Sequence, residues 1–500
     1  MICEFLCDLV VQCYPPLLRD SYVRLLYRSQ FEIVRYIECD KISFDVGEGI
    51  MLLDFSVSNW MSYRDAADLN LLGSLERQHK ETLAKLPGWR SKYVLPTVAV
   101  YGGNASGKTA LFSALSALRM MATVDAGVDG VLPVNKFRLQ AMDEPTTFDI
   151  TFLAGANVYR LYVEATDIAV AYESLELVHE KSSTVLYERE SQAAVPPDVY
   201  AFDDAFFADS THVEYAARST RANRLFLESA VAQNVTELKE AHDWFAETLE
   251  LVGVGSQAWS FATAAGTQEG FLDFASEELN CLDTGISRLV AEPVGIDALP
   301  SSAGLRRAIA ELKEGQVVTV VQDLEAGDYK FDMLLVRLSN GQPDVQRLRT
   351  VHMGPDGTEH KFFLSMESSG TQRLMGLLPM LFSLSNPSDG RVGGKVFVVD
   401  ELDRCMHTML TMRLVSDFLA TCDAGSRKQL LFTTHDLLLM DQDLLRRDEM
   451  YVTQRGTDGC SQLISLAEYK GLRNDKDLVR SYLDGRFGGI PMLGEAGCRG

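Results

Sequence analysis

The sequence offers no run of about 18 apolar residues, so no segment is long enough to cross a membrane as a helix. Its nine cysteines fall at no regular spacing and include no paired C-x-x-C, which excludes a disulfide framework and a zinc ribbon. A reduced, cytoplasmic compartment is the expectation. The first residues, MICEFLCDLVVQC, are apolar but carry Glu4 and Asp8 and lack a basic start, so they do not read as a secretion signal. Basic residues are outnumbered, 47 Lys and Arg against 70 Asp and Glu, for a net charge of −23. Phosphate contacts need clustered Lys and Arg, so a protein that coats DNA generally is excluded, while a local basic groove is not. Sustained heptads and internal repeats are also missing, which excludes a long coiled-coil arm and a solenoid.

What is present is a chain of 500 residues with a hydrophobic content of 46%, enough for two or three packed units. The clearest signal lies in YVLPTVAVYGGNASGKTALFSALSALRMM, residues 93–121. Val98, Val100 and Tyr101 close a β-branched and aromatic stretch that reads as a buried strand, and Leu111, Leu115 and Leu118 repeat at helical spacing. Between them, Gly102, Gly103, Asn104, Ala105, Ser106, Gly107, Lys108 and Thr109 satisfy G-x-x-x-x-G-K-[ST]. Glycines let backbone N–H groups wrap a phosphate, Lys108 would reach the β/γ oxygens, and the Thr109 hydroxyl would ligate Mg²⁺. The competing reading, a glycine turn capping an ordinary helix, does not account for the strand, the lysine and the helix occurring together.

Far downstream, KVFVVDELDR (395–404) places four apolar residues before Asp400 and Glu401. A continuous apolar strand suits the centre of a parallel sheet, and ligands sit at the carboxyl ends of such strands. There Asp400 would hold Mg²⁺ through water and Glu401 would act as general base on the attacking water. Leu430, Leu431 and Phe432 read as another core strand, with His435 at its end as a γ-phosphate contact. Upstream, ESSGTQRL (367–374) reads as a helix start: Ser368 and Ser369 are N-cap types, Gly370 permits close backbone approach, and Leu374, Met375, Leu377 and Leu378 follow. It is a second anion cradle, without a lysine.

Phosphate loop, D-E strand end, TTHD strand and serine/glycine helix start together resemble ABC-type ATPases of the SMC and RecF kind. The resemblance implies that Ser368, Ser369 and Gly370 dock on the γ-phosphate held by the opposite subunit, whose Lys108 already supplies the cation. ATP would then join a head-to-tail homodimer or higher homo-oligomer. The blocks MLLDFSVSNWMSYRD (51–65), VYGGNASGKT, ESSGTQRL, DELDRCMH, TTHD and YLDGRFGGIP (482–491) narrow it further. They are similar to bacterial ABC-like "AAA family ATPases" of phage-defence systems, of the RloA, AbiL and PARIS AriA types. The signature is SSGT rather than the SGGQ of transporters, which argues against transport, and Gln140 is the one candidate for a Q-loop glutamine.

The expected fold is α/β: a P-loop NTPase of ABC/SMC head type with an antiparallel β layer and an inserted compact helical lobe. TFDITFLAG and VYRLYVEAT alternate as an antiparallel hairpin, and 212–250 is helical by pattern. The expected division is a 1–50 extension, a 51–200 head portion, a 201–345 helical or mixed insertion, and a 346–500 head portion. Glu48 and Gly49 can be encoded by a sequence resembling a ribosome-binding site, so Met51 is the expected start and 1–50 the expected untranslated or poorly packed part; the alternative is a real strand-helix extension packing on the head, since SQFEIVRYIECDKISFDV has some strand character.

The expected activity is ATP hydrolysis with Mg²⁺, in a sensor or scaffold subunit of an abortive-infection system. No nuclease signature is visible, and nine residues follow GRFGGIP, so an effector, a nuclease, is expected on a separate polypeptide. A DNA-binding repair or chromosome ATPase of SMC/RecF kind is the alternative. A GTPase is not expected, because VNKF at 134–137 lacks the Asp of a guanine-reading N-K-x-D.

Overall fold

A computed structural model describes residues 32–37, 49–139, 144–191, 198–253, 257–299, 303–313, 316–323, 331–385, 394–469 and 478–489. Its centre is a six-stranded sheet. The strands Leu249–Val252, Val396–Val399, Gln429–Thr433, Thr97–Tyr101 and Met450–Arg455 run parallel in that order, and Ser461–Ser465 closes one edge antiparallel. The continuous apolar runs follow from this position, because both faces are covered. Alternate side chains go to opposite cores. Val98, Val100, Val396, Val398 and Leu431 enter one, and Ala99, Tyr101, Phe397, Val399, Leu430 and Phe432 enter the other.

The first core is roofed by a seven-stranded antiparallel sheet running from Val199–Phe202 through Ile50–Ser58 to Ala67–Asn70. The expected hairpin lies inside it: Thr146–Ala154 pairs with Asn157–Ala165 around a turn at Gly155 and Ala156. Gln429 pins the two layers together. Its buried amide accepts from Leu52 N at 2.7 Å and donates to Leu52 O at 2.9 Å and Leu95 O at 3.0 Å.

The insertion differs from the expected helical lobe in two respects. Residues 199–252 belong to the head: the helices Ser210–Ser219 and Phe226–Ala232 bury Val213, Phe226 and Leu227 in the first core, and Leu249–Val252 is a strand of the central sheet. The boundary at 201 is therefore corrected to beyond Val252. A lone amphipathic stripe tells that a helix is covered, not by which unit. The lobe itself is built on a six-stranded antiparallel sheet that includes Ile286–Val294, Val317–Asp323, Phe331–Ser339 and Gln342–Met353. The helices Gln257–Thr267 and Phe271–Cys281 pack with its apolar side chains in a third core. The β-branched residues of VVTVVQD fit this strand assignment. The second boundary moves too, since residue 346 falls inside the Gln342–Met353 strand.

Of the 1–50 segment, Glu32–Ile37 pairs antiparallel with Val317–Asp323 at the edge of the lobe sheet. Residues 1–31 and 38–48 lie outside the described set, as do Gln140 and the last two residues of GRFGGIP.

One helix is shared between the units. Ser369–Ser385 puts Leu377, Met380 and Leu384 into the second head core, and Leu374, Met375 and Leu378 into the lobe core. This is the helix that begins at the lysine-free cradle.

Candidate functional site

The strand Thr97–Tyr101 ends where the loop Gly102–Gly107 begins, and the helix Lys108–Thr123 follows. Gly102 adopts φ 154°, and a Cβ there would lie 2.3 Å from Thr453 Oγ1, so a side chain is excluded. The loop is braced from behind. Ser106 Oγ and Thr453 Oγ1 are 2.6 Å apart, and Gly103 N donates to Gly489 O at 3.0 Å. Tyr482 Oη also donates to Gly489 O, at 2.8 Å, so part of the closing GRFGG block buttresses the loop. Lys108 is buried, and its Nζ donates to the carbonyls of Gly102 at 2.8 Å and Gly103 at 3.1 Å. Burial lowers its pKa, and the negative charges of Asp400, Glu401 and Asp403 act the other way.

The next two parallel strands on one side, Gln429–Thr433 and Val396–Val399, deliver the acidic side. Asp400 Oδ2 accepts from Thr109 Oγ1 at 2.9 Å, and its Oδ1 accepts from Thr433 Oγ1 at 2.7 Å. Thr433 Oγ1 in turn accepts from Glu401 N at 2.7 Å. Glu401 has φ 50°, in the left-handed region that non-glycine residues occupy only when their surroundings hold them there. His435 N donates to the Asp403 carboxylate at 3.2 and 3.3 Å, which fixes the backbone of a residue that lines the site cavity. Lys108, Thr109, Glu401 and His435 line one cavity of about 520 Å³, together with Arg138 and Arg455.

Asn104, Ala105, Ser106 and Gly107 line the same cavity, whereas Ser368, Ser369 and Gly370 do not. Ser368 is nevertheless the cap expected of it: its Oγ accepts from Thr371 N at 3.1 Å. Gly370 is where the close approach occurs. A Cβ on it would stand 2.5 Å from the Cys405 carbonyl oxygen, on the turn that follows Glu401. Thr433, Asp403 and Arg373 take part in this network, and residue typing alone did not single them out. All three lie inside the quoted blocks TTHD, DELDR and ESSGTQRL, which was the available signal.

The oxygen donors fit a hard divalent cation. A hydroxyl and a carboxylate oxygen stand side by side, and among the described residues there is no cluster of three or more His, Cys, Asp or Glu side chains that could hold a metal. That is the donor set of Mg²⁺, which takes one or two carboxylates and completes its shell with phosphate oxygens and water. The helix start and the buried ammonium of Lys108 fit the phosphates.

Fold and site together are those of a P-loop nucleotide-binding protein: a glycine loop between a central parallel strand and a helix, with an acidic strand end beside it. Residues 287–441 match the family model described as "AAA domain, putative AbiEii toxin, Type IV TA system". The matched stretch includes the signature helix, Asp400, Glu401 and His435, and leaves out the phosphate loop. A comparison with curated proteins found no match. Among solved structures, the SMC head domain from Thermotoga maritima is 13% identical, with a TM-score of 0.32 over 83% of this chain and 98% of that one. The recombination mediator protein RecF of the RecFOR pathway is 10% identical in two structures, RecF-ATPrS and RecF-ATP. They have TM-scores of 0.31 and 0.33, over 84% and 83% of this chain and 100% and 99% of theirs. Among the described residues no helix is long and apolar enough to cross a membrane.

Proposed function

We propose that this chain binds and hydrolyses ATP with Mg²⁺, dimerises head to tail around the nucleotide, and serves as sensor or scaffold in an anti-phage system with a separate effector. The observation that carries the chemistry is the Thr109–Asp400–Thr433–Glu401 chain of hydrogen bonds beside Lys108. Lys108 would hold the β/γ-phosphate oxygens, and Thr109 and Asp400 would hold the metal. Bound Mg²⁺ neutralises phosphate charge during phosphoryl transfer. Glu401 accepts the proton of the attacking water, Thr433 fixes Glu401 by accepting from the Glu401 N–H, and His435, which lines the cavity, would be the γ-phosphate contact. Ser368, Ser369 and Gly370 lie outside the cavity of their own chain, which supports their use on a second copy's nucleotide.

The defence role is supported by the quoted motif set; the description of the matching family names a putative toxin of a toxin–antitoxin system and no phage. The test is phage plating with this gene alone, with its neighbouring gene, and with Glu401→Gln. Restriction is expected to need both the partner and Glu401. Restriction by this chain alone would remove the effector, and hydrolysis stimulated by DNA would favour the repair ATPase reading instead.

In purified protein, Lys108→Ala should abolish nucleotide binding, while Glu401→Gln should retain binding and stop turnover. Full turnover by Glu401→Gln would refute its role as base.

A further inference from the structure

Arg373 lies in the first turns of the signature helix and is only 4% exposed. Its Nη2 donates to two carbonyls at once, Asp400 O and Glu401 O, each at 2.9 Å. Its Nε and Nη1 are buried without an acceptor. A guanidinium buried this way carries a desolvation cost that the negative charges of Asp400 and Glu401 offset only in part, so packing alone does not explain it. Leu374 and Met375, its neighbours in the sequence, fill the lobe core without a polar atom.

The two carbonyls belong to the peptide units on either side of the Glu401 Cα, and Glu401 is the residue held at φ 50°. Its backbone has few anchors. The N–H donates to Thr433 Oγ1 at 2.7 Å, and the carbonyl accepts from Arg404 N at 3.1 Å within its own turn. Two of these anchors come from other elements, Thr433 from the strand Gln429–Thr433 and Arg373 from the signature helix, and only Arg373 grips the two carbonyls. The same helix start is tied to the lobe. Glu367 accepts from Thr350 Oγ1, its Oε1 pairs with His352 Nε2 at 2.8 Å, and both partners belong to the lobe strand Gln342–Met353. Gln372 Nε2 donates to Glu367 O at 2.8 Å, closing the link within the helix start.

We infer that Arg373 is a positioning residue for Glu401: it clamps the peptide groups that set the carboxylate's direction and makes their position follow the signature helix, which the lobe holds. The inference rests on the reading of Glu401 as the base. A base displaced by about 1 Å loses roughly 100-fold in rate, which sets the scale of the expected effect.

The test uses the full chain with Mg²⁺-ATP and compares Arg373→Ala, Arg373→Met and Arg373→Lys. Turnover should fall about 100-fold in Arg373→Ala and Arg373→Met, with ATP affinity within about threefold of the parent. Arg373→Lys should recover part of the rate, because one ammonium can still reach a carbonyl. In the Glu401→Gln background, Arg373→Ala should leave ATP affinity as it was. Unchanged turnover in Arg373→Met overturns the inference while the ATPase reading stands. So does a loss of ATP affinity that parallels the loss of rate, which would mark Arg373 as merely structural. If Arg373→Ala does not fold, Arg373→Lys and Arg373→Met decide the matter. A parent chain that neither binds nor turns over ATP overturns the ATPase reading and this inference with it.

Discussion

Thr109 Oγ1 and Asp400 Oδ2 are hydrogen-bonded at 2.9 Å although 291 residues separate them in the sequence. The pair joins the phosphate-loop helix to the end of the D-E strand, at the proposed Mg²⁺ site. Replacing Thr109 by Val keeps the volume and removes the hydroxyl. Turnover should drop about 100-fold or more, as expected for loss of a ligand to the catalytic metal. Nucleotide binding should become insensitive to chelation of Mg²⁺. Calorimetric titration of ATP with and without Mg²⁺ checks this; a Thr109→Val chain that still responds fully to Mg²⁺ would place the metal elsewhere.

Catalysis across two chains makes a prediction that neither single variant can. A Lys108→Ala chain lacks the ammonium, and a Ser368→Arg chain lacks a usable signature. Each alone should be inactive. Mixed in equal amounts, they form a pair in which one of two sites combines an intact loop with an intact signature; half of randomly paired dimers are mixed, so about a quarter of the activity per site should return. Phosphate release from the mixture is the readout. No recovery, with mixed dimers demonstrated, would confine the signature to its own chain.

Gly370 faces the Cys405 carbonyl too closely for any side chain. Gly370→Ala should push the helix start away from the turn that follows Glu401. Because backbone must shift rather than a flexible side-chain tip, a loss of about 1–3 kcal/mol of stability is expected. Hydrolysis should fall with it while nucleotide binding at the loop persists. Thermal unfolding and ATP titration on the same preparation separate these effects, and a stable, fully active Gly370→Ala protein would show that the two segments are not in contact during turnover.

A pH dependence follows from Glu449, a buried carboxyl whose pKa burial pushes up to about 8. Asp448 and Glu76 push the same way, while the bond from Arg446 N and the Arg446 charge oppose it. The folded state therefore holds this proton more tightly than the unfolded chain. The stability it contributes is fully present below the carboxyl's ordinary value and is lost as pH rises through about 8. The thermal midpoint should decline between pH 6 and pH 9, scaled by this group, and Glu449→Gln should flatten that decline. An equally steep decline in Glu449→Gln would assign the effect to other groups.

The sequence by itself determined the local parts. Residue spacing specified the strand ending at Tyr101, the loop through Gly107 and the helix from Lys108, because the phosphate cradle needs those residue types in consecutive order. The apolar run Val396–Val399 and the cap at Ser368 were legible for the same reason, since period and capping are local properties. Only the tertiary structure decided which parts meet. It put Thr433 between Asp400 and Glu401, Arg373 under both their carbonyls, and Leu249–Val252 at the edge of the central sheet. It also made the lobe a sheet with helices against it, where helical pattern alone was expected to dominate. Each of these depends on partners remote in the chain: pairing and burial choose among segments whose local preferences are nearly equal, and that choice is made by the whole fold at once.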